Sequence, residues 1–148
     1  MSNTIELYGY GIQGEALAAA AITPGMLVER TSAANDTVQA HGSAGGHGNA
    51  HFAVENEWDG AGIDTNYATG ANVKFRTYSP GAGVNALVAA GATAITKAAW
   101  LQSAGDGTLA IAATGDYVVA QAREAVDNSG GSTAVRIHAE VVGGFYLP

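Results

Sequence analysis

The chain has 148 residues, about one domain's worth, with no cysteine and a net charge of −7. Only six Lys and Arg stand against 13 Asp and Glu, and they are scattered, which argues against a nucleic-acid surface; the missing thiols exclude disulfides and cysteine nucleophiles. No apolar run approaches the roughly 20 residues of a membrane-spanning helix, so the reading is of a soluble protein made in the cytoplasm.

In chain order, residues 1–22 differ from the rest. Ile5, Leu7, Tyr8, Tyr10 and Ile12 alternate with Gly9, Gly11 and Gly14, and an alanine run carrying Leu17 ends before Thr23-Pro24-Gly25. Glycine at this density favours neither a helix nor a central strand. The segment therefore reads as an extended N-terminal arm, ordered by a partner through Ile5, Leu7, Tyr8, Tyr10, Ile12 and Leu17. Deleting residues 2–20 is then expected to leave the body folded. The apolar stretch Ala16 to Ile22 follows Glu15 without a preceding basic residue, which argues against a secretory signal.

Residues 23–148 read as a single β-rich domain of short, frequently punctuated strands. Expected strands are Met26 to Arg30, Thr37 to His41 and His51 to Glu57, with a glycine-rich loop from Gly42 to Ala50. After a long connection, Trp58 to Gly70, comes Asn72 to Tyr78, with Val73, Phe75 and Thr77 on one face and Lys74, Arg76 and Tyr78 on the other. Val84 to Ala89 is a short apolar run, and Gly105-Asp106-Gly107 turns between Trp100–Ser103 and Thr108–Ala113. Tyr117 to Val126 suits strand or helix, with strand favoured by its alternation. The last strand places Val135, Ile137, Ala139 and Val141 inward and Arg136, His138 and Glu140 outward. The fold expected is a small antiparallel β-barrel or sandwich. Val, Ile, Leu and Phe number only 29, so a core filled by alanine is thin, and oligomerisation is the expected remedy.

Several motifs suggest chemistry without completing it. Gly9-Tyr10-Gly11-Ile12-Gln13-Gly14 spells a dinucleotide fingerprint, yet no βαβ pattern follows it. His41, His47 and His51 could gather round a metal but read as solvated loop residues, with no carboxylate nearby before Glu55. Asp59, Asp64 and Asn66 lack the spacing of a calcium loop. No serine sits in a nucleophile elbow, and neither metal nor cofactor is expected. Chelators should leave the melting temperature unchanged.

Ile22-Thr23-Pro24-Gly25-Met26-Leu27-Val28-Glu29, Ile63-Asp64-Thr65-Asn66-Tyr67-Ala68-Thr69-Gly70, Gly83 to Val88 and Leu101 to Leu109, in this order, resemble the head decoration, or capsid cement, proteins of tailed bacteriophages. The resemblance runs from about residue 12 to Val142. It departs at Thr96-Lys97-Ala98-Ala99, where that family often has a Gly-Asp pair. The resemblance implies a small β-barrel-like protein, usually a homotrimer and sometimes a dimer. Such a protein binds the assembled major capsid protein on the outer surface of the virion head and stabilises the shell. A carbohydrate-binding or adhesin module, using Trp58, Trp100 and loop aromatics, is the alternative.

Overall fold

Short strands separated by glycine turns generate an all-β architecture. The computed structural model describes residues 3–148. Its first half holds β1 (Glu6–Tyr8), β2 (Gly11–Ala18), β3 (Val28–Arg30), β4 (Thr37–Ala40), β5 (His51–Ala53) and β6 (Asn72–Tyr78). The second half holds β7 (Gly83–Val88), β8 (Trp100–Ser103), β9 (Leu109–Ile111), β10 (Tyr117–Ala122) and β11 (Val135–Tyr146). A single 3-10 turn, Glu57–Asp59, interrupts the long connection before β6. No helix among the described residues is long and apolar enough to cross a membrane.

Two sheets share the strands. One runs β1-β7-β11-β10-β8-β9, and β9 returns to pair with β7 at Val88 and Leu109, so that this sheet is ring-like. The other runs β3-β4-β2-β6-β5, and a bridge between Leu27 and Phe52 brings its two edges together. The larger core joins Leu27, Phe52 and Tyr78 to Val84, Ala86, Val88, Leu101, Leu109, Ala120, Ile137 and Ala139 of the ring. A ring this narrow has room for side chains only where small and large residues alternate, which gives the interior alanines their place. A second core, with Ala16, Ala18, Ile22, Val38, Val73 and Phe75, fills the other sheet.

The N-terminal segment is not an arm apart from a body beginning at Thr23. Here β2 is the central strand of its sheet, paired with β6 from Gly11↔Tyr78 to Leu17↔Asn72, while β1 joins the other sheet at Val84. The glycines that argued against a strand are what admit the neighbouring rings. A Cβ on Gly14 would lie 2.6 Å from the Phe75 ring, closer than any real contact. The cross-strand aromatic thus supplies the apolar cover that glycine lacks.

The last strand keeps its expected alternation, with Ile137, Ala139 and Val141 buried, but runs on to Tyr146. Gly144, at φ 64°, turns the strand through a register shift so that Phe145 and Tyr146 still pair with Val118 and Tyr117. Ala98 holds φ 70°, the only non-glycine at positive φ among the described residues, in the segment where the resembled family often has glycine. Its Cβ crowds the backbone there, and the position is exposed. Ala98→Gly is therefore expected to stabilise the protein by about 0.5–1 kcal/mol. An unchanged or lower midpoint in urea unfolding would contradict this.

Candidate docking surface and polar pocket

The six expected contact residues separate in space. Ile5 is fully buried against Val54 and Ile63, and Leu7 is half-buried. Tyr8, Tyr10 and Ile12 remain exposed at 43%, 66% and 62%, an apolar strip of the chain where β1 passes into β2. Leu17 is exposed at the far end of β2. Tyr8 is held in place: its ring meets His138 edge-on at 5.5 Å, and its hydroxyl lies 3.1 Å from His138 Nε2. β1 is an edge strand, so backbone groups beside this strip are open to a further strand.

A second aromatic group lay beyond the strand expected at the C-terminus. Trp100 meets Phe145 edge-to-face at 5.2 Å, Tyr117 meets Tyr146 at 5.1 Å, and His47 leans on Tyr117 at 4.5 Å. Tyr146 is 60% exposed. The adjacent pair Phe145-Tyr146 after two glycines was the available signal.

The three imidazoles do not converge, although His41 touches the His47 backbone. His41 is buried rather than solvated, with Nδ1 2.8 Å from Ser103 Oγ and Nε2 3.0 Å from the His47 carbonyl oxygen. The network assigns the proton to Nε2, which donates to that carbonyl while Nδ1 accepts from Ser103. Glu29 Oε2 lies 3.7 Å from His41 Nε2, so the order of groups echoes an acid–base–nucleophile chain. Ser103 is wholly buried and accepts the Gly105 amide, so the cluster pins the glycine-rich loop and offers no nucleophile. No cluster of three His, Asp or Glu among the described residues is placed to hold a metal ion. Asp64, from the calcium-like stretch, instead accepts from Arg136 Nη1 at 2.8 Å. The Gly9–Gly14 motif spans the β1–β2 turn and enters a strand, with no helix after it to face a pyrophosphate.

His51 lies beside Thr77 Oγ1 at 2.7 Å and edges onto Phe75. Burial first, and then the Arg30 guanidinium, hold its imidazole below the ordinary value of 6.5. The folded state thus takes up this proton less readily than the unfolded chain. The stability from a neutral His51 is complete above pH 6.5 and is lost as pH falls through the lower folded value. The melting temperature should drop between pH 7 and pH 5, and His51→Gln should shrink that drop. Equal drops in both proteins would contradict this assignment.

A cavity of about 470 Å³ opens on the outer face of β2 and β6. Gln13, Glu55, Trp58, Lys74 and Arg76 line it, together with Glu6 and Glu57. Arg76 pairs with Glu6 at 2.5 Å, and this carboxylate holds the guanidinium above its ordinary value. Lys74 pairs with Glu15 at 2.6 Å and holds that carboxyl below the usual range. Trp58 is 85% exposed at its rim, far more than Trp100, which belongs to the C-terminal aromatic group; the two do not form one platform.

No family model matches the chain, and no curated protein matches it in sequence. Among solved structures, the N base of the head fiber gp8.5 of bacteriophage phi29 has a similar fold. The TM-score is 0.57 at 14% identity, over 88% of this chain and 95% of that one.

Proposed function

We propose that this chain is a structural protein of a bacteriophage virion, seated on the outside of the head as a decoration, or cement, protein bound to the assembled major capsid protein. The observation that carries the reading is the fold shared with the head-fiber base over nearly the whole of both chains. The ordered motifs from Ile22 to Leu109 point the same way by resemblance. The exposed strip of Tyr8, Tyr10 and Ile12 beside the open edge of β1 supplies a surface for docking. The role needs no catalytic group, cofactor, nucleic acid or membrane. It is filled by a homo-oligomer, in this reading a trimer, since an alanine-rich core gains from neighbours.

Co-sedimentation with assembled heads lacking this protein tests the reading. The protein should pellet with heads saturably, and Tyr10→Ala with Ile12→Ala should weaken binding at least about tenfold, roughly 1.4 kcal/mol. Protein left entirely in the supernatant would overturn the reading. Light scattering showing a stable monomer at micromolar concentration would overturn the trimer.

A further inference from the structure

We propose that the cavity beside Trp58 is a binding site for a neutral saccharide, one pyranose ring lying against the Trp58 indole. Its volume, about 470 Å³, falls within the range of roughly 300–1,000 Å³ typical of small-molecule sites. Trp58 is 85% exposed on a one-turn 3-10 helix that Gly60 ends in the left-handed conformation. Nothing in the fold uses that indole surface, whereas the apolar C–H face of a sugar can cover it.

The polar wall matches hydroxyl groups, which both donate and accept. Lys74, Arg76 and Gln13 bring donors; Glu55, Glu57 and Glu6 bring acceptors. Both cations, Glu6 and Glu55 are fixed before any ligand arrives. The Arg76–Glu6 and Lys74–Glu15 pairs hold the cations, and Glu55, only 7% exposed, is tied through Oε2 to the Ile5 amide at 3.1 Å. Fixed partners lower the ordering cost of binding. Because both cations are already matched by carboxylates, the wall has no free positive charge to select an anion. Glu55 and Glu57 stay unmatched by either cation, so the wall is rich in acceptors; that suits the hydroxyl groups of a polyol and makes an amine the rival the test must exclude.

Saccharide binding is measured on the isolated full-length protein, so its failure is distinguishable from a failure to dock on heads. Saturation-transfer and 15N-correlation NMR against a panel of methyl pyranosides and N-acetylated hexosides should find a saturable ligand, with Kd in the millimolar range, roughly 4 kcal/mol. The ligand should shift the Trp58 indole N–H. Trp58→Ala should weaken it at least about tenfold, and Glu55→Gln, whose amide oxygen can still accept from Ile5, should weaken it with the melting temperature retained. Trp100→Ala should bind as the parent protein does. The proposal fails if no saccharide gives a saturable shift, or if Trp58→Ala binds unchanged. It also fails if Nα-acetyl-lysine amide alone moves the Trp58 signal, which would make the cavity a dock for a basic side chain.

Discussion

A chain lacking residues 3–20 is expected not to fold. The deletion removes the central strand of one sheet and the edge strand β1 of the other. It cuts the pairing of β2 with β6 from Gly11 to Leu17, and the parallel pairs Leu17↔Thr37 and Ala18↔Val38 with β4. It also empties the core of Ile5, Ala16 and Ala18, all at most 5% exposed. Each lost backbone bond costs about 1 kcal/mol, and orphaned partners on β6 and β4 cost more. The sum rivals the whole stability of a domain, about 5–15 kcal/mol. Circular dichroism of the truncated chain should lack the β signature and show no cooperative melt. A truncated protein that melts cooperatively would restore the arm reading. Ile5→Ala alone should cost about 2–5 kcal/mol, which checks the N-terminus without removing a strand.

Arg136→Ala is expected to be the most damaging single change to a charged side chain. Nη2 donates to the carbonyls of Pro24, at 3.1 Å, and Ile63, at 2.5 Å, while Nη1 reaches Asp64. One guanidinium thus fastens β11 to the chain entering β3 and to the long connection before β6. Asp64 is 87% exposed, so the ion pair itself adds little. The cost comes from two carbonyls that lose their donor beneath a side chain only 17% exposed. Arg136 Nε is buried without a hydrogen-bond partner, which offsets part of the gain. The expected loss is about 2–4 kcal/mol, or a melting temperature roughly 5–15 °C lower. Asp64→Asn should cost under about 1 kcal/mol. Equal losses for the two variants would put the energy in the ion pair and refute the account.

What could be read from the sequence was whatever depends on near neighbours. Strands Asn72–Tyr78 and Trp100–Ser103 stand as expected, because alternation and bounding turns are local signals. The inward row Ile137, Ala139 and Val141 was equally plain. β2 was not, because what makes a glycine-rich strand viable is Phe75, some sixty residues away. The burial of His41 depends on Ser103, and the fastening by Arg136 on Ile63 and Pro24. The pocket beside Trp58 joins β2 and β6 to the segment after β5, so no single stretch announces it.

The pairing of β7 bears on how the chain reaches this structure. Apart from the single pair with β9, its partners come from opposite ends of the sequence: Glu6 and Tyr8 of β1 on one side, and Val135 to Glu140 of β11 on the other. A nascent chain emerging from the ribosome therefore holds β1, β6 and β7 in reach of one another long before β11 exists. Until β11 has emerged, one flank of β7 stays unpaired and its six buried residues lack a cover. Acquisition of the native state thus waits for β11 and is slow, as pairings between distant residues are. Cooler, slower synthesis should raise the recovered yield, since it leaves fewer half-finished chains to meet through that bare flank.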